Sequence, residues 1–166
     1  MKIGNRHRQR NIAIGAITLL IVCGLLIVGV ANKRRQAAEE RQLLHRADLL
    51  TVKALAGQCA LYAQAEALYK QAMRFHLQDR DLVGRASLCA TLSGYCGQDV
   101  RPLLITRLHL LTTGNAQPDD IKAVLELQLA AGDRQSALTT TARYADDPYS
   151  QWLGEWLREL PAPGEE

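Results

Sequence analysis

Four histidines, four cysteines and five tyrosines are the side chains of this 166-residue chain best suited to chemistry. His7, His45, His76 and His109 are scattered along it. No two have the HExxH spacing that turns both imidazoles of one helical face toward a metal. GxSxG, P-loop, GxGxxG and CxxC patterns, which would signal a nucleophile, a phosphate cradle or a redox pair, do not occur. Arg101 and Arg107 near His109 have the composition of an anion site, but the exposed face of a helix accounts for them more simply. The expectation is a chain with no catalytic residue, no cofactor and no metal site, and so not an enzyme.

The cysteines say more about place than about reaction. Cys23 falls inside an apolar run, leaving Cys59, Cys89 and Cys96, an odd number that implies no closed disulfide framework. Cys89 and Cys96 are seven apart on one predicted helix, roughly 10 Å along its axis and too far to bridge. Cys59 with Cys96 is the conceivable pair if the domain lies outside the cytosol. The plainer role for all three is as buried small apolar side chains.

That apolar run is Ile12 to Ala31, twenty residues without a charge. As a helix it would reach roughly 30 Å, the hydrocarbon thickness of a bilayer. A cleaved secretory signal has a shorter core of about 7–15 residues, and here Lys33, Arg34 and Arg35 follow at once, as in a stop-transfer signal. The reading is a single-pass anchor, flanked by Arg8 and Arg10 on one side and by Lys33, Arg34 and Arg35 on the other. It lacks GxxxG spacing and ionisable groups, so neither a tight dimer seam nor an ion path is evident.

The anchor also corrects a first impression from charge. The chain is +3 overall, but Lys2, Arg6, Arg8 and Arg10 precede the run and all 17 acidic residues follow it. The part after Ala31 thus has 16 basic and 17 acidic side chains, which gives no reason to expect nucleic acid as a partner. Within it, residues 32–116 are net +5 and residues 117–166 net −6. Solvated helix faces explain this; so would oppositely charged ends meeting other proteins or neighbouring copies, a possible homo-oligomer. Basic residues on the two flanks nearly tie, so orientation is tilted only by the short basic tail. The preferred reading is N-terminus cytoplasmic and C-terminal domain periplasmic, in a bacterial-type inner membrane.

The rest must be helical. The predicted plan is a basic tail (1–11), the transmembrane helix (12–31), a helical stalk and the start of a first hairpin (32–56), a hairpin domain (57–160) and a flexible tail (161–166). About eight helices and no strands are expected. Tyr62, Gly97 and Gly132 fall in one column at 35-residue spacing, followed five positions on by Ala67, Pro102 and Ala137, then by Leu68, Leu103 and Leu138. The stalk helix is expected to break first at Gly57. First helices of the hairpins are predicted over Asp48–Leu61, Asp81–Cys96 and Pro118–Ala131, with N-caps at Asp99 and Asp133, a C-terminus at Gly114 and helix starts at Pro118 and Pro148. The predicted core is Leu68, Phe75, Leu82, Leu88, Leu92, Leu103, Leu104, Leu108, Leu111, Ile121, Leu125, Leu129 and Leu138.

At these columns the chain resembles the tetratricopeptide repeat, a 34-residue helix–turn–helix unit. Gly132-Asp133 with Ala137-Leu138 matches its turn and small-large pair, and AEALYKQAM (Ala65 to Met73) is similar to its second helix. Gln98 after Gly97 and Pro102 at a small-residue position depart from the pattern. The resemblance implies an all-α superhelical scaffold of antiparallel hairpins whose concave face receives a partner's peptide or helix.

The last predicted helix, YSQWLGEWLREL over 149–160, gathers Tyr149, Trp152, Trp156 and Leu160 on one stripe with Leu153 and Leu157. It reads either as a cap that seals the last hairpin or as a helix that lays its aromatic face into a partner. The function expected is a membrane-anchored adaptor touching other membrane or envelope proteins and the lipid bilayer, in a secretion, pilus or respiratory-assembly complex. Alternatives are a structural subunit of a larger membrane ring or enzyme, and an envelope chaperone.

Overall fold

The computed structural model describes residues 3–76, 79–113 and 117–161, with side chains from Cys23 onward. These residues form seven helices and no strand: α1 (Ile3–Leu55), α2 (Leu61–Ala72), α3 (Arg80–Gly94), α4 (Arg101–Thr112), α5 (Pro118–Ala130), α6 (Arg134–Arg143) and α7 (Pro148–Glu159). The chain divides into two units, Met1–Arg41 and Gln42–Glu166.

In the first unit the described side chains belong to α1 alone. Leu25, Leu26, Ile27, Val28 and Val30 are each more than half exposed. Among the described residues no helix is long and apolar enough to cross a membrane. Of the expected span, residues 12–22 lie outside the described side chains, as do the flanking Arg8 and Arg10.

The second unit is a set of antiparallel hairpins. Their turns carry Gly57, Gly97 and Gly132 at φ of 109°, 76° and 77°, a region that L side chains avoid and glycine enters freely. Two of these glycines are the predicted column, but its first member is displaced. Tyr62 is not a turn residue; it lies on α2 with its ring buried. The first helix therefore stops at Leu55 instead of Leu61, and the chain turns through Gly57 and Cys59 before α2. Asp133 and Asp147 cap α6 and α7, accepting from the backbone N–H groups of Ser136 (2.9 Å) and Ser150 (2.8 Å). Asp79 does the same for α3, and Gln117 and Asp120 form a reciprocal capping box behind Pro118. Asp99 accepts from Arg101 N–H at 3.2 Å, although Val100 occupies the cap position of α4. Gly114 and the tail beyond Pro161 lie outside the described residues.

The core joins the end of α1 (Ala47, Val52, Ala54, Leu55) to α2, α3, α5 and α7. α2 packs on α3, α6 on α7, and α5 touches α3, α6 and α7. Leu82, Leu88, Leu92, Ile121, Leu125 and Leu129 are buried as predicted. α4 is the correction. It packs chiefly on α5 and buries no residue. Leu103 and Leu108, predicted for the core, are 54% and 37% exposed. Apolar side chains surround most of α4, so periodicity could not single out an inward face, and one neighbouring helix covers only one side of it.

Candidate interaction surface

The aromatic helix α7 is positioned by α1, α2 and α3 through one arginine. Arg85 donates to Asp81 (2.9 Å) on its own helix, to Asp48 (3.4 Å) on α1 and to Glu159 (3.3 Å) on α7. Its guanidinium lies 5.7 Å from the Trp156 ring centroid. Burial pulls the Arg85 pKa down, but the hydrogen bond and charge of Asp81 outweigh it and the net shift is upward. Asp48 also accepts from the Tyr69 hydroxyl at 2.6 Å. Burial first, then the Asp48 charge, raises the Tyr69 phenol so that it stays a donor. This network pins three hairpins at one point.

The four residues proposed for partner contact divide here. Trp156 and Leu160 are 2% and 5% exposed and belong to the chain's own core, with Leu153 and Leu157 beside them. Trp156 meets Tyr69 edge-on at 6.5 Å and stacks on Trp152 at 5.9 Å. Trp152 is half-buried; its indole N–H donates to Asp81 at 2.7 Å, and its ring lies so close over Gly84 that any Cβ there would meet it at 2.8 Å. Arg134 on α6 caps the other end of α7 by donating to the Leu157 and Leu160 carbonyls. α7 is thus a sealing helix, and Tyr149, half-buried like Trp152, lines a surface cleft.

That surface is a cleft of about 360 Å³ between α3, α5 and α7. α3 contributes Arg80, Val83, Gly84, Ser87 and Leu88 to its lining, α5 Lys122 and Glu126, and α7 Tyr149. Lys122 Nζ lies 5.4 Å from the Tyr149 ring centroid and 3.9 Å from Glu126. The Tyr149 hydroxyl donates to Glu126 at 3.3 Å. Burial raises the Glu126 pKa despite the lowering by Lys122 and Tyr149. Such a cleft can grip an apolar segment, with the Lys122–Glu126 pair in its lining. Sequence reasoning missed Arg80, Lys122 and Glu126. Lys122 and Glu126, four apart on a helix, were their only signal, and surface pairs carry that signal everywhere.

Cys59 and Cys96 form a disulfide across 5.5 Å between α-carbons, tying the α1–α2 turn to the α3–α4 turn. The plainer reading as buried thiols holds only for Cys89, whose Sγ lies 3.8 Å from Thr51 Oγ1 and whose pKa burial pushes up to about 12. Among the described residues, no three His, Cys, Asp or Glu side chains are grouped to hold a metal. Lys33, Arg34 and Arg35 are exposed on α1 in the first unit. Compared with known proteins, the chain matches no family model, no curated protein and no solved structure.

Proposed function

We propose that the chain is a membrane-anchored scaffold or adaptor, whose hairpin domain makes protein–protein contacts on the oxidising side of a bacterial-type inner membrane. One observation carries this reading. Leu25 to Val28 cover a full helical turn with exposed apolar side chains, and three cations follow within a few residues. A helix apolar round its whole circumference is stable in lipid, where every backbone group is satisfied within the helix, and unstable in water. The apolar run continues back to Ile12 in the sequence. The Cys59–Cys96 pair supports an oxidising compartment for the domain and hence a cytoplasmic N-terminus. Gly97 and Gly132, 35 residues apart and both at positive φ, support kinship with the tetratricopeptide pattern. The cleft of α3, α5 and α7 is then the face offered to a partner's peptide or helix in an envelope assembly.

Leu20→Arg with Ile21→Arg, at the middle of the Ile12–Ala31 run, tests the anchor. Each charge costs about 2.5–3.5 kcal/mol at a span's centre. The double variant should leave the membrane fraction on alkaline washing, and retention there refutes the anchor. Lys122→Glu with Tyr149→Ala tests the cleft: a crosslinked pull-down should lose a partner while helicity stays constant. Recovery of the same partners sinks the adaptor reading.

A further inference from the structure

Helix α4 meets the rest of the domain along one narrow stripe. Val100 just ahead of it is buried, Leu104 and Leu111 are half-buried, and Arg107 pairs with Asp120 of α5 at 2.6 Å. At about 100° per residue these four positions fall within about 60° of one another. Asp120 shares its side of α5 with Val124 and Leu127, likewise within about 60°. Val100, Val124 and Leu127 are buried, yet they stand apart from the main core that joins α1, α2, α3, α5 and α7. They form a small second core that α4 closes over α5.

The Cys59–Cys96 bridge sits where this strap begins. Cys96 stands four residues before Val100, and the bridge fastens that turn to the turn before α2. Cys96 is exposed, Cys59 is half-buried, and both line a cavity of about 190 Å³ with Gly57, Gly97 and Gly132. An exposed bridge is open to exchange with a thiolate, unlike one sealed in a core. The helices on either side of it differ in what else holds them. α2 and α3 keep Tyr62, Tyr69, Leu88 and Leu92 in the main core. α4 has the half-buried Leu104 and Leu111 and one ion pair, whose Arg107 side is 46% exposed.

We propose that α4 is a redox-controlled strap: reduction of Cys59–Cys96 by a dithiol loosens it and bares Val124 and Leu127 of α5. In the exchange a thiolate of the dithiol attacks Cys96 Sγ, the S–S bond breaks, and Cys59 leaves as a thiolate. The dithiol's second sulfur then displaces Cys96 from the mixed disulfide. The dithiol ends as a disulfide, and its two electrons and two protons end on Cys59 and Cys96. The device is separate from both the anchor and the cleft of α3, α5 and α7. Lys122 and Glu126, the cleft's α5 residues, stand on the opposite side of that helix from Val124 and Leu127.

Dithiothreitol, added to the full chain in mild detergent without denaturant, is the probe. The bridge should open at a rate proportional to dithiol concentration, while the circular dichroism spectrum stays nearly unchanged. In the reduced chain, hydrogen exchange should quicken about tenfold or more in α4, and less than about twofold in α3 and α7. A second measurement reads the bared strip. Leu127→Cys with Cys23→Ala should resist a maleimide while the bridge is closed. Its peptide should react about tenfold or more faster once Cys59→Ser and Cys96→Ser are added, read by mass spectrometry. A bridge that opens only as fast as the domain unfolds, whatever the dithiol concentration, overturns the proposal. So does a reduced chain whose α4 exchanges as slowly as before, or a Leu127→Cys thiol that reacts alike with and without the bridge. In each of these cases the bridge is a structural staple and α4 is no strap.

Discussion

Helices α4 and α7 make a controlled comparison. Each is twelve residues long and begins with proline in its first turn. α4 has six large aliphatic residues and buries none of them; α7 has fewer and buries Leu153, Trp156 and Leu157 completely or nearly so. The difference lies in where the apolar groups stand. In α7 they occupy one stripe, opposite Gln151, Glu155 and Arg158, and that stripe meets α2, α3, α5 and α6 at once. In α4 they surround the axis, and α5, its main neighbour among the described residues, covers only one side. Apolar content sets how much burial a helix can gain; angular distribution and available neighbours set how much it does gain.

The comparison is most easily broken from the α7 side. Trp156→Ala should cost about 4 kcal/mol, the usual scale for removing a buried aromatic, and lower the urea midpoint of helicity loss accordingly. A loss below about 1 kcal/mol would mean that α7 is as loosely held as α4.

Cys59→Ser with Cys96→Ser opens a loop of 37 residues and should cost up to about 4 kcal/mol on the chain-entropy estimate. Matched unfolding curves under oxidising and reducing conditions measure it. Because the bridge holds the turn that leads into α4, its removal should also speed hydrogen exchange in α4 more than in α7.

Arg85→Met removes the one cation shared by Asp48, Asp81 and Glu159. Loss of charge-assisted hydrogen bonds at a side chain only 13% exposed should cost about 2 kcal/mol. Tryptophan emission, which comes from α7 alone, should shift to the red as Trp152 loosens. An unchanged spectrum would show that packing by itself positions α7.

Glu126 provides a pH test. Its folded pKa is raised above the ordinary 4.5, first by burial. The folded state therefore holds the proton more tightly than the unfolded chain, and this site loses stability as pH rises above 4.5. Glu126→Gln should raise Tm slightly at about pH 7 and leave it unchanged at about pH 4. The reverse order would mean that the Lys122 contact outweighs burial. Smallest of all, Ile105→Ala on α4 should change monomer stability by no more than about 0.5 kcal/mol, as exposed sites do.

Much of the fold was legible because its signals are local. Asp133, Pro118 and Asp147 announced helix starts through groups only a few residues away. Leu82, Leu88 and Leu92 announced an inward face by their spacing. At the first hairpin the break expected at Gly57 is where the chain turns; the repeat column misplaced it five residues later because Tyr62 shares a register with Gly97 and Gly132, while the turn needed a glycine. The interaction surface was less legible. Tyr149, Trp152, Trp156 and Leu160 share one stripe, yet whether a stripe faces its own chain or another depends on Tyr69, Asp81 and Gly84, which are remote in sequence. The cleft's Arg80 and Lys122, forty-two positions apart, carry no pattern that links them.

The sequence by itself determined the helical class, the helix starts at Pro118, Asp133 and Asp147, the apolar run near the N-terminus and the absence of catalytic motifs, since each depends on side chains within about one or two turns of one another. Only the tertiary structure decided that Cys59 meets Cys96, that Trp156 is sealed inside, and that α4 buries no side chain among the described residues. Those outcomes depend on which helices become neighbours, and neighbourhood is settled by the whole chain's competition for a limited buried volume.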